Sequence, residues 1–426
     1  MSNSTNTKYR FINPTYLRYI GPGIIWAMTA VGQTHVILST YAGTKYGFDL
    51  LWMVFLSHLL AYPVFEYGAR YSMATGKSLI HAYLQMHPIR WLIIPFLFLT
   101  FTLLTPMLLA SMGGVPATVL YAAFPSINFS TWVIIIAAGT ILLILSGKYK
   151  LLEKLNLVMA ALLLVGILIA FSFSPPSLPE FSAGLIPSFP EDGIFTLVAL
   201  MRLPSDAATA LMLSAWALNH AEKAGEENRL ETMNGVIFGF RVGYCLSLIV
   251  AVVFLSLGAT VLHPLGVDLE GIDLALQLSR VFTDTVGAWT FPFFIIIAFI
   301  SLYAGYYAAA QSIPLLFADL LARVRSTPTQ KNLPSRWVVL VHLFLVVIVG
   351  VLIAIGFAKP TFLVLLSVSL GLIGLPLYYA LNIFAVTRLI DPIYRPSLAN
   401  RLLAFAGLIF GIIGISLFLY SRVLGG

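Results

Sequence analysis

Two short polar runs interrupt otherwise apolar stretches, and they hold the residue types able to do chemistry. The first is Gly32-Gln33-Thr34-His35, within GPGIIWAMTAVGQTHVILSTYAG. Gln33 and Thr34 offer donors and acceptors, His35 a titratable ring, and Gly32 lets the backbone leave a helix. The second is Arg202-Leu203-Pro204-Ser205-Asp206, within GIFTLVALMRLPSDAATALMLSAWAL. Pro204 lacks a backbone donor and clashes one turn back, which predicts a break near Met201 to Leu203 that exposes carbonyls and, after it, amides. Asp206 can hold a cation or accept a proton; Arg202 can hold an anion. The competing reading is that Arg202 and Asp206, four residues apart, only neutralise each other. The first run can likewise serve only to bond a neighbouring helix.

Two further titratable residues, His58 and Glu66, lie eight positions apart and so roughly on one helix face, where they can form part of a proton route with His35. The plainer expectation for Glu66 is a pair with Arg70, one turn on. The tyrosines and Gln311 of LYAGYYAAAQSIP can line a pathway, but aromatic residues in such a stretch more often pack.

These runs are set in a chain of 426 residues, 59% hydrophobic and 10% charged, against about 25% charged in an ordinary soluble domain. With 24 basic and 17 acidic side chains there is too little polar surface to cover the apolar residues in water, so lipid is the expected solvent. The net charge of +7 does not mark a nucleic-acid binder, because Lys and Arg are spread between apolar runs. Cys245 is the single cysteine, so no internal disulfide can form. The first twenty residues hold no apolar core suited to a cleaved signal, leaving the first span as the expected insertion signal. The sequence contains no Gly-rich phosphate loop and no His-x-x-x-His or Cys-x-x-Cys cluster, so no enzyme and no bound cofactor are expected.

Apolar stretches of about twenty residues predict eleven spans, near 19–41, 48–70, 91–116, 131–147, 152–173, 194–218, 235–262, 289–322, 336–357, 361–387 and 401–422. Placing the N-terminus inside puts most Lys and Arg on the cytoplasmic side. The acidic segments around Glu180, Glu191 and Asp192, and around Asp268 to Asp284, then fall outside. The protein is thus expected in the plasma (inner) membrane, with the N-terminus cytoplasmic and the C-terminus extracellular or periplasmic.

The first and sixth spans are the interrupted ones. They are five spans apart, an odd number, so two five-helix units in tandem insert with opposite topology. Paired interruptions at corresponding positions point to a transporter site at the midplane. The expected division is a cytoplasmic segment 1–18, a first repeat 19–173, an outer loop 174–193, a second inverted repeat 194–387, and an additional helix within 388–426. Expected binding residues are Gly32, Gln33, Thr34, His35, Arg202, Leu203, Ser205 and Asp206.

The stretch from Gly21 to Tyr83 resembles the first two spans of the NRAMP family of proton-coupled divalent-metal transporters. The likeness rests on Gly21-Pro22-Gly23, Ala42-Gly43, Tyr46-Gly47, Leu50-Leu51-Trp52, Ala69-Arg70 and Thr75-Gly76-Lys77, and more weakly on Leu203-Pro204-Ser205, Leu375-Pro376 and FLSLGATVL. It implies an all-α polytopic membrane protein with a LeuT-type five-plus-five inverted repeat plus one extra helix, helices 1 and 6 broken at the midplane. It also implies a transported divalent cation and a coupling ion, proton or sodium. The departures fall on the chemistry. The family's Asp-Pro-Gly-Asn is here Gly32-Gln33-Thr34-His35, and its Met-Pro-His is Leu203-Pro204-Ser205, which removes a soft thioether. Span three also lacks the acidic residues that the family uses for protons. Asp206, His35 and Gln33 are the remaining candidate metal ligands. The same scaffold could instead take up a small organic anion, amino acid or other zwitterion, gripped by Arg202 or a half-helix N-terminus.

Overall fold

The computed structural model describes residues 34–147, 149–206, 208–224, 228–325 and 334–423. Gly32 and Gln33, and the segment 1–18, lie outside the described residues. The described residues form helices joined by turns, with no strand among them. In order the α-helices are α1 (Thr40–Tyr46), α2 (Leu51–Thr75), α3 (Leu79–Leu84), α4 (Arg90–Leu99), α5 (Thr105–Ala123), α6 (Phe129–Ser146), α7 (Tyr149–Phe173), α8 (Leu178–Ala183) and α9 (Ile194–Leu200). Then follow α10 (Thr209–Ala224), α11 (Arg229–Leu257), α12 (Leu274–Thr283), α13 (Phe291–Arg325), α14 (Arg336–Phe357), α15 (Pro360–Leu372), α16 (Leu375–Arg388) and α17 (Leu398–Val423).

Lipid explains why helices dominate: with no water to bond to, each amide must find its carbonyl within the segment. Six helical stretches among the described residues are long and apolar enough to cross a membrane: His87–Ala123, Phe129–Ser146, Arg229–Leu265, Ala288–Arg325, Arg336–Phe357 and Leu398–Tyr420. The pair α15 and α16, bent by 47°, makes a seventh if it is one span. The expected spans two, five and six coincide with α2, α7 and the pair α9 and α10, while the first is described only from Thr34. At 25 residues α2 also has the length to cross, but it carries His58, Glu66 and Arg70, all turned into the protein. The tenth expected span, 361–387, is not one straight helix. Its bend falls at Ile373 and Gly374, just before Pro376.

Two helices organise the packing. α2 lies against α10, α11, α16 and α17, and α5 lies against α13, α14 and α15. Buried polar side chains tie α2 to its surroundings: Ser72 Oγ meets Ser214 Oγ of α10 at 2.7 Å, and Asn382 of α16 donates to Val64 O at 2.8 Å. At one end of the bundle Lys45 pairs with Asp192 at 3.1 Å, and Tyr41 donates to Glu270. The opposite end is basic. There Arg323 meets Asp319 and His81, and burial together with Lys77 and Arg323 holds the His81 imidazole below its ordinary range.

Close backbone approaches seat the two interrupted spans. Gly43 of α1 crosses the π turn that follows α11 so tightly that a Cβ on Gly258 would stand 2.4 Å from Thr40 O. A Cβ on Gly68 of α2 would stand 2.4 Å from Ala210 O of α10. Small residues at helix crossings permit such contacts where lipid supplies no hydrophobic drive between helices. Gly258→Ala is expected to cost about 1–3 kcal/mol through overpacking. Gly139→Ala, whose Cβ meets nothing within 4 Å, should cost nothing; thermal unfolding in detergent compares the two.

Candidate functional site

The sixth expected span is broken as its proline requires: α9 ends at Leu200 and α10 begins at Thr209. Between them the chain tightens, with Arg202 N donating to Ala199 O and Leu203 N to Leu200 O. Asp206 then opens the next helix. Its Oδ1 accepts from Ala208 N at 2.9 Å, and its carbonyl accepts from Thr209 N at 2.8 Å. A carboxylate there meets the positive end of the α10 dipole.

Asp206 Oδ2 pairs with the Arg202 guanidinium, so the structure contains the ion pair that the four-residue spacing allows. Arg202 does more than neutralise its neighbour. Its Nη1 also donates to Ser367 O at 3.1 Å and Val368 O at 2.6 Å, bridging the break to α15. Only a glycine lets it lie there, because a Cβ on Gly371 would fall 1.7 Å from Nη1. Arg202 is buried, while the Asp206 side chain stays 26% exposed.

The first span is described from its polar run onward. Thr34 begins a π turn, Thr34–Ser39, that leads into α1. Wide turns of this kind cluster at functional sites. Thr34 Oγ1 donates to Pro204 O at 3.1 Å, so the two interruptions touch. Beside that contact is a cavity of about 120 Å³, lined by Thr34, Arg202, Ser205 and Asp206 and closed by apolar side chains of α5, α10 and α13. A water needs roughly 10–15 Å³ on this measure, so the cavity has room for several waters or a hydrated ion.

The other expected site residues lie elsewhere. Leu203 is buried at the turn, outside the cavity lining. His35 is also fully buried behind Thr34, its Nδ1 3.2 Å from Thr34 Oγ1. Its ring meets His58 edge-on at 5.8 Å. From there ring contacts run through Tyr244 to Tyr62, whose hydroxyl donates to Glu66. The three expected proton-route residues are thus joined by one line of side chains leading away from the cavity. Glu66 itself is heavily engaged, holding Arg70 Nε at 2.8 Å and Asn400 Nδ2 at 2.9 Å, with Arg241 at 3.7 Å.

Some contributors escaped the sequence reading. Thr100 opens a π turn in span three, Thr100–Leu104, Thr105 follows it, and both line the cavity. The carbonyls that hold Arg202 belong to Ser367 and Val368 of α15, in a stretch that the sequence marks as an unbroken span. Among the described residues no three His, Cys, Asp or Glu side chains converge on a point. The polar lining of the cavity offers oxygen donors beside the Arg202 guanidinium.

Residues 23–421 match the model of the natural resistance-associated macrophage protein-like (Nramp) family. The chain belongs to the Nramp family. Membership makes it an integral membrane protein of a transporter family, not an enzyme. An uncharacterized protein of Pasteurella multocida is 29% identical over 293 residues, which span 67% of this chain and 66% of that relative, just short of two thirds of its length. The divalent metal cation transporter MntH of Chromohalobacter salexigens is 22% identical, with 67% of each chain covered. Among solved structures, the manganese transporter of Eremococcus coleocola superposes with a TM-score of 0.73 at 16% identity, covering 97% of this chain and 89% of that one. Mhp1, a nucleobase-cation-symport-1 family transporter, superposes with a TM-score of 0.62 at 14% identity, covering 96% of each. At such identities the likeness gives the fold, and this Nramp chain has the LeuT-type one.

The seat of Arg202 yields a prediction. Gly371→Ala should lower stability by about 1–3 kcal/mol, and most of that loss should vanish when Arg202→Gln is also present. A double-mutant cycle on thermal unfolding reads this as a coupling of about 1 kcal/mol or more.

Proposed function

We propose that this Nramp chain is a secondary active transporter that moves a hard divalent cation, such as Mn²⁺, inward through the cavity between its two interrupted spans. The observation that carries the reading is the contact of the two polar runs, Thr34 to Pro204, beside a largely apolar cavity lined by a partly exposed carboxylate, Asp206. The divalent-metal relative at 22% identity supports the substrate class. Asp206 is the anionic ligand, the Ser205 and Thr34 hydroxyls complete an oxygen donor set, and retained waters fill the remaining positions, as hard cations prefer. The loss of a thioether at Leu203 moves preference further from soft metals.

Arg202 governs affinity in this reading. Two unit charges 4 Å apart interact by about 4 kcal/mol in surroundings of effective dielectric constant 20, so a cation reaching Asp206 must contend with the guanidinium. The alternative of a small carboxylate or zwitterion asks Arg202 to grip the solute, but its guanidinium already serves Asp206 and two carbonyls. The basic end of the bundle supports placing that end in the cytoplasm, with the N-terminus inside and the C-terminus outside the plasma membrane. The coupling ion in this reading is a proton, using His35, His58 and Glu66 along the line of rings.

In proteoliposomes, Asp206→Asn should reduce Mn²⁺ uptake at least 100-fold with unfolding temperature largely kept. Arg202→Gln should strengthen apparent Mn²⁺ affinity at least tenfold; weaker affinity, or uptake indifferent to a metal chelator, would return the carboxylate solute. His58→Gln should leave Mn²⁺ binding intact while removing the dependence of uptake on an inward proton gradient.

A further inference from the structure

Far from the breaks, at the basic end, a surface cavity of about 500 Å³ opens between α16 and α17. Three arginines line it: Arg388 closing α16, Arg395 in the connecting turn and Arg401 in the first turn of α17. None of the three forms a salt bridge among the described residues. Arg395 Nε donates to Ile390 O at 3.3 Å, and the buried Nε of Arg401 has no hydrogen-bond partner among the described residues. Nearby negative charge is spoken for or turned aside. Glu66, bonded to Asn400, is held by Arg70 and Arg241, and Asp391 in the turn lies outside the cavity lining.

The cavity continues into an apolar strip. Leu398, Leu402, Phe405 and Ile409 are all half or more exposed and recur at helical spacing along one face of α17. In a membrane-spanning helix that face looks into lipid. The combination selects a ligand with an anionic head and an apolar tail. Guanidinium forks match phosphate oxygens in pairs, and basic clusters of this kind beside membrane helices hold anionic headgroups. A zwitterionic headgroup brings its own cation toward three positive charges, and a soluble anion leaves the strip uncovered.

We propose that this cavity binds an anionic phospholipid, its phosphate among Arg388, Arg395 and Arg401 and one acyl chain along Leu402, Phe405 and Ile409. The inference rests on the membrane setting and is independent of the transported solute. To test it, the full-length protein in detergent is titrated with phosphatidylglycerol, phosphatidylcholine or inorganic phosphate, following bound lipid by native mass spectrometry and the unfolding temperature. Phosphatidylglycerol should be retained and stabilise the protein, while phosphatidylcholine and inorganic phosphate at equal concentration should do neither. Arg388→Gln and Arg401→Gln should each weaken phosphatidylglycerol binding about fivefold, and Arg388→Lys should retain most of it. Lys359→Gln, at the other end of the bundle, should change nothing. Arg388 is exposed and carries the test alone if Arg401→Gln fails to fold. The proposal is overturned if Arg388→Gln binds phosphatidylglycerol as the wild type does, if phosphatidylcholine binds equally, or if inorganic phosphate alone reproduces the stabilisation.

Discussion

In hydrocarbon a backbone amide or carbonyl without a partner costs several kcal/mol, and the whole site depends on how that cost is met. A helix can stop in mid-membrane only where something else satisfies the groups it frees. Here the interruption of the sixth span is met both locally and from other elements: Asp206 accepts the Ala208 amide, Thr34 donates to the Pro204 carbonyl, and Arg202 reaches across to two carbonyls of α15. The polar run of the first span therefore supports the break in the sixth.

The glycines extend this logic outward. Gly258 brings α11 and its π turn against α1, Gly68 brings α2 against α10, and Gly371 leaves space for the Arg202 guanidinium. Each lacks the methyl group that would hold the neighbouring element away. Between helices already solvated by lipid, that closeness is itself the source of attraction.

How much of this was legible in the sequence follows from what kind of signal each part leaves. Pro204 and the charges on Arg202 and Asp206 stand out because they are costly in an apolar run, and the break and the ion pair are where they indicated. The four-residue spacing of Glu66 and Arg70 also gave their pair, whereas Arg241 and Asn400 reach Glu66 from helices far along the chain, which no local spacing reveals. The carbonyls of Ser367 and Val368 leave no trace at all, since every residue has one. Thr34 and His35 show the limit of reading a polar run as a unit. Successive residues of a helix point in different directions, so one lines the cavity while its neighbour turns to His58.

The Arg202 and Asp206 pair also constrains how such a site can work. A lone carboxylate in a cavity of this size would attract any cation strongly and release it slowly. A carboxylate already balanced by a fixed guanidinium does neither, because entry of a cation is opposed by a charge that cannot leave the protein. That guanidinium has a second place to rest, on the α15 carbonyls, and α15 ends at the 47° bend. Motion of α15 relative to the break would therefore alter how firmly Arg202 is drawn from Asp206, and with it the affinity of the cavity. The same contacts that make the interruptions affordable in lipid would then couple the position of a helix to the charge that a solute meets.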